Sequence, residues 1–242
     1  MPTVLIIPAL NEEQSIGRVL DEVPPGLCSV ILVVDNGSSD RTAEIAALHG
    51  ASVLTEPRRG YGNACLRAMK ELPAGTELVL FLDGDGGDLP GEARRLIEPI
   101  ERGEADFVVG SRELGQREPG ALSPHQRFGN WLATALIHLL FGYRYTDLGP
   151  FRAIRAESLT VLEMRDPTYG WTVEMQIKAL RHGLRVVETP VSCRRRRYGS
   201  SKVSGSISGS LKAGCKILWT IGRLRFTRAP APDAPQPPPE RL

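Results

Sequence analysis

Short apolar runs that alternate with helical patterns, each run closing on a polar or acidic residue, constrain this chain more than any other feature. The runs cover residues 4–7, 30–34, 52–54, 78–82 and 107–109. Helical periodicity fills 11–20, the stretch beyond Asp40 that carries Ile45 and Leu48, 61–71 and 89–101. Runs this short, apolar throughout and separated by helices predict parallel strands buried on both faces. The expected fold class is α/β, a mixed, mostly parallel sheet flanked by helices. Glu12 and Glu13 fall in the first turn of the 11–20 helix, where the helix dipole favours negative charge. Asp40 is placed to cap the next helix. Ligands in such sheets bind beyond the carboxyl ends of the strands. The polar groups there are Asn11 and Glu12, Asp35 and Asn36, Asp83 and Asp85, Ser111 and Arg112, so all of them should converge on one crevice.

The remainder reads differently. Residues 115–124 form a polar loop, 131–141 an apolar helix, 166–176 a turn leading into a helix, and 186–191 a further strand. Ile207–Phe226 reads as a closing amphipathic helix bearing Leu211, Ile217, Leu218 and Ile221, and the proline-dominated stretch after 229 is expected to be disordered. A hydrophobic fraction of 41% over 242 residues is enough for an ordinary buried core. The net charge of +2 gives no reason to expect a nucleic-acid partner. Arg194, Arg195, Arg196 and Arg197, with Lys202 beyond, form a basic block that reads equally as an anion site or as a solvated edge. The four cysteines have no short paired spacing, which favours a reducing compartment. No apolar run approaches the ~20 residues of a membrane span, and the first residues lack a basic leader. The expected location is cytoplasmic, at most against the inner face of a membrane.

Asp83 and Asp85 leave an apolar strand two positions apart, with Gly84 and Gly86 allowing close approach. Two hard oxygen ligands, completed by a diphosphate, suit Mg²⁺ or Mn²⁺; an Asp/Gly turn without metal gives the same pattern. Asp35 can accept from a base or ribose, or can simply form an Asx turn. Gly60-Tyr61-Gly62-Asn63-Ala64 opens a helix and lets backbone approach a ligand, without being a dinucleotide fingerprint.

Taken in order, Pro8-Ala9-Leu10-Asn11-Glu12-Glu13, Val34-Asp35-Asn36-Gly37-Ser38-Ser39-Asp40, Gly60-Tyr61-Gly62-Asn63-Ala64, Asp83-Gly84-Asp85-Gly86 and Gly110-Ser111-Arg112 resemble the family 2 glycosyltransferases. The resemblance implies a GT-A fold and a donor site contacted by Pro8, Leu10, Asn11, Glu12, Asp35, Gly37, Gly60, Asn63, Asp83 and Gly84. It also implies a divalent metal at Asp83 and Asp85, with Asp85 catalytic. Further on, Thr146-Asp147-Leu148-Gly149-Pro150-Phe151-Arg152, Tyr169-Gly170-Trp171-Thr172-Val173-Glu174-Met175 and Arg197-Tyr198-Gly199-Ser200-Ser201-Lys202 look like the dolichyl- and polyprenyl-phosphate mannose and glucose synthases. By that likeness Arg112, Arg127, Arg197 and Lys202 bind an acceptor phosphate, and Asp147 and Glu174 are candidate bases or orienting groups.

Gly87 stands where this group has a glutamine, and Gly149-Pro150 departs from its acceptor motif. The organisation implied is one domain over 1–226, with a donor-binding half 1–112, an acceptor-binding half 113–226 and a tail 229–242. The expected activity is inverting transfer of a hexose from a UDP- or GDP-sugar to a polyprenyl-phosphate acceptor, with peripheral membrane contact and homodimerisation as further expectations. A soluble hydroxyl acceptor, or a silent nucleotide-sugar-binding protein, are the alternatives.

Overall fold

The computed structural model describes residues 1–198 and 207–227; Lys202 and the stretch 229–242 lie outside the described residues. Its centre is a sheet of β1 (Thr3–Ala9), β2 (Val30–Asp35), β3 (Ser52–Thr55), β4 (Leu78–Phe81), β5 (Phe107–Ser111), β6 (Arg152–Arg155) and β7 (Val186–Pro190). These lie in the order β3-β2-β1-β4-β6-β5-β7. All neighbours run parallel except at β6, which is antiparallel to both β4 and β5. Strand alternation sends Val4 and Ile6 to one core, and Leu5 and Ile7 to the other. The first core is covered by α3 (Tyr61–Met69), α5 (Pro124–Phe141), α6 (Ala156–Val161), α7 (Trp171–Arg181) and α8 (Ile207–Phe226); the second by α1 (Ile16–Asp21), α2 (Thr42–Leu48) and α4 (Ala93–Glu101). The mixed, mostly parallel sheet flanked by helices is thus the fold class the strand pattern implied. Each buried Ile, Leu or Phe contributes roughly 1.5–3 kcal/mol, and both layers are needed to bury both faces.

Several elements differ from expectation for physical reasons. The helix expected over 11–20 starts at Ile16, because Asn11 takes a left-handed φ of 52° and its carboxamide accepts from the Ser39 amide. Glu12 and Glu13 therefore precede the helix instead of charging its first turn. Glu13 accepts from the Arg41 amide. The apolar helix expected from 131 starts at Pro124, where Ser123 and Gln126 form a reciprocal capping box. β6 and α6 were not expected at all. β6 has arginine at both ends, yet Arg152 is fully buried and its guanidinium donates to the carbonyls of Thr172, Leu148 and Gly149.

At the start of α3 the chain crosses the 166–168 loop so closely that a Cβ at Gly62 would lie 1.9 Å from the Asp166 carbonyl oxygen. The Asn63 amide donates to the Pro167 carbonyl at 2.9 Å. This glycine therefore serves an approach to the protein's own backbone, not to a ligand. Gly62→Ala should cost about 3 kcal/mol, read from urea unfolding midpoints; an unchanged midpoint would contradict the crossing.

Candidate active site

The carboxyl ends of β1, β2, β4 and β5 open into a cleft of about 850 Å³. Pro8 lies near the end of β1 and Leu10 and Glu12 follow it, Asn36 follows β2, and Asp83, Gly84, Asp85 and Asp88 follow β4; Arg112 follows β5. Because β6 runs the other way, its beginning faces the same side, and Leu148 and Pro150 join the wall. Gly60 and Tyr61 close one flank, and Tyr169 and Thr172 another. The far end is lined by Leu132 and Ala133 of α5 and by Ala213, Ile217 and Leu218 of α8. The cleft is acidic and cationic at the sheet and apolar between the helices.

The acidic end is tightly organised. The Asp85 Oδ1 accepts the Gly87 amide at 2.7 Å, and its Oδ2 is bound by the Arg196 guanidinium. Where a glutamine side chain was expected, Gly87 thus supports Asp85 through its backbone. Glu12 accepts the Ser15 hydroxyl at 3.0 Å, and the same hydroxyl reaches the Gly84 carbonyl. Asp83 is half-buried, and its buried Oδ1 accepts no hydrogen bond from the described residues. Burial, then the charges of Asp85 and Asp88, push its carboxyl up to about 8; burial likewise raises Asp88 to about 7. An orphaned carboxylate oxygen beside a second carboxylate suits a divalent cation. Among the described residues no group of three or more His, Cys, Asp or Glu could hold one alone, so ligand oxygens and water must complete any shell.

The raised carboxyls carry a pH signature. Their folded pKa values exceed the unfolded value near 4, so the stability they give is full below about pH 4 and is lost as pH rises through 7 and 8. In EDTA the melting temperature should fall by several degrees from pH 5 to about pH 8.5, and Asp83→Asn should flatten the slope. Scanning calorimetry showing a rise over that range would contradict the assignment.

Other expected site residues are placed elsewhere. Asp35 is buried, accepts the Ser38 amide at 3.0 Å and leaves the cleft wall to Asn36. Asn36 in turn holds the far loop through the Glu56 and Arg58 carbonyls and the Gly60 amide. Asn11 and Gly37 lie in loops and Asn63 in the first turn of α3, and none of the three lines the cleft.

Asp147 is fully buried under Arg112, with Nε and Nη2 each 2.8 Å from its oxygens. Burial opposes its charge, but Arg112 outweighs this and holds the carboxyl below the ordinary range. Both Asp147 oxygens are engaged by Arg112, and the carboxylate does not line the cleft. Glu174 is corrected too: it accepts the Arg165 and Asp166 amides and pairs with Lys178 at 3.0 Å, fixing the loop that α3 crosses. Arg127 lies on the outside of α5, in a separate groove with Arg144 and His138. Arg197 points to solvent, whereas Arg194, Arg195 and Arg196 line the cleft.

The fold and cleft define an α/β protein with a ligand site at the carboxyl edge of its sheet. The family model for glycosyl transferase family 2 matches residues 4–162, and the chain belongs to that family. An uncharacterised glycosyltransferase of Mycobacterium tuberculosis is 38% identical over 211 residues, covering 86% of this chain and 93% of that relative. The undecaprenyl-phosphate mannosyltransferase of Micrococcus luteus is 31% identical over 224 residues, covering 86% and 90%. The solved glucosyl-3-phosphoglycerate synthase of M. tuberculosis, in complex with Mn²⁺, uridine diphosphate and phosphoglyceric acid, matches with a TM-score of 0.74 at 22% identity, over 94% of this chain and 79% of that one. The last likeness concerns the fold, which is GT-A.

Proposed function

We propose that this glycosyltransferase moves a hexose from a UDP- or GDP-sugar to a polyprenyl-phosphate acceptor, with Mg²⁺ or Mn²⁺ held by Asp83 and Asp85. The observation that carries the reading is the two-ended cleft, ionic at the sheet and apolar between α5 and α8. A sugar nucleotide suits the first end, and an isoprenoid chain suits the second. When bound, the cation would neutralise charge on the departing nucleoside diphosphate.

The protein's own groups do the rest. Arg112, locked by Asp147, keeps Nη1 for an acceptor phosphate, a fixed charge needing no reorganisation. Leu122, Ser123 and Gln126 bring the positive end of α5 to the same wall. A phosphate acceptor is already anionic, which agrees with the burial of Asp147 and Glu174 away from the cleft. Membrane contact is supported by large apolar groups left exposed on the outer faces of the same helices. They are Phe128 and Trp131 on α5, and Leu211, Trp219 and Phe226 on α8. Lys216 and Arg223 flank Trp219, with their charges 4.6 and 4.8 Å from its ring centre. No helix among the described residues is long and apolar enough to cross a membrane.

One observation favours a second reading, a soluble hydroxyl acceptor. Asp88 lines the cleft with its carboxyl near 7, in the range of a general base. The test is incubation with labelled UDP- and GDP-hexoses, Mn²⁺ and polyprenyl phosphate in anionic vesicles, beside a panel of soluble alcohols. Label passing into the lipid extract supports the first reading. Label found only on a soluble acceptor, lost in Asp88→Asn, overturns it in favour of the second.

A further inference from the structure

Arg196 is paired with Asp85, one of the two carboxylates that would hold a metal. Its Nη2 binds the Asp85 Oδ2, and its Nη1 stands 3.5 Å from the Glu12 carboxylate. The other Asp85 oxygen is taken by the Gly87 amide. The backbone beside Arg196 is tied to the same loop. The Arg194 amide donates to the Gly87 carbonyl at 2.8 Å, its Nε donates to the Gly86 carbonyl at 2.6 Å, and its guanidinium pairs with Glu22. The next amide, of Arg195, donates to Glu118 at 2.8 Å. Arg196 is therefore delivered on an anchored segment, and only its own side-chain torsions need change for the guanidinium to leave Asp85 and remain in the cleft it lines. A dication and a guanidinium repel each other, so a cation binding at Asp85 competes with Arg196. A nucleoside diphosphate, by contrast, offers paired oxygen acceptors that a planar guanidinium can bind bidentately.

We propose that Arg196 is an exchangeable counter-ion: it holds Asp85 while the cleft is empty and passes to the diphosphate when the cation takes Asp85. This rests on the reading of Asp83 and Asp85 as the cation site. The exchange makes metal and nucleotide binding cooperative. Metal alone must displace Arg196 from Asp85 and bear the repulsion of its charge in the cleft, whereas metal with diphosphate gives that charge an anionic partner. By linkage each ligand tightens the other by the same factor.

The test is Mn²⁺ binding, read by electron paramagnetic resonance of the free ion, with and without UDP or GDP. Wild-type protein should bind Mn²⁺ weakly alone and about tenfold or more tighter with the matching nucleotide. Arg196→Gln should bind Mn²⁺ alone about tenfold more tightly than wild type, and most of the nucleotide effect should vanish. Arg196→Lys should fall between. Arg197→Gln, at an exposed side chain outside the cleft, should match wild type for Mn²⁺ alone. If Arg196→Gln leaves the affinity for Mn²⁺ alone unchanged while Asp85→Asn abolishes binding, the exchange is overturned and the metal site stands. If wild type binds no Mn²⁺ even with nucleotide, the metal reading itself fails.

Discussion

Replacing Asp85 with asparagine should cut sugar transfer by roughly 10²–10³-fold, the size of effect seen when one preorganised electrostatic group is removed from a reacting centre. The substitution is nearly isosteric, and the side-chain oxygen can still accept the Gly87 amide. What disappears is the negative charge that Arg196 grips and that a cation would use. Asp83 and Asp88 lie near enough for their carboxyls to feel the Asp85 charge, so its removal should not lower the melting temperature. The measurement is kcat with labelled donor at saturating Mn²⁺, alongside thermal unfolding. Near-full activity in a well-folded variant would remove Asp85 from the chemistry and with it the metal reading.

Asp147→Ala should instead lower the melting temperature by about 10 °C. Breaking a buried ion pair by deleting one partner costs about 3–5 kcal/mol, and a chain of this length loses roughly 2–4 °C per kcal/mol. Arg112 would keep its charge without the two 2.8 Å bonds that fix it. Asp147→Asn should be milder and should raise the KM for acceptor more than it lowers kcat. A general base would behave in the opposite way. If Asp147→Asn collapsed kcat at an unchanged melting temperature and acceptor KM, the positioning role would be wrong.

The donor side of the cleft was legible because parallel, doubly buried strands are continuous apolar runs, and the polar residue closing each run marks the sheet edge where ligands bind. That logic identified Glu12, Asp83, Asp85 and Arg112 as cleft residues. It could not separate Asp35 from Asn36, since one residue of displacement at a strand end exchanges a wall position for a turn. β6 was hidden because Arg152 is charged in sequence but spends its donors on carbonyls inside the protein. Asp147 and Glu174 looked chemical because carboxylates near a site are ambiguous until their partners are seen. Both are saturated by protein groups. The basic block was left open between an anion site and a solvated edge; its resemblance singled out Arg197, whereas Arg194, Arg195 and Arg196 are the ones that line the cleft.

The place of β5 in the sheet has a consequence for biogenesis. Both of its neighbours, β6 and β7, are later in the chain. As the polypeptide leaves the ribosome, Phe107–Ser111 must wait for more than forty further residues before its first hydrogen-bonding strand exists. Until then an apolar edge with unpaired amides is open to other chains. Pairings of such sequence separation fold slowly, so this protein should refold in slow phases and aggregate when interrupted early, and a fragment ending near residue 112 should be insoluble by itself.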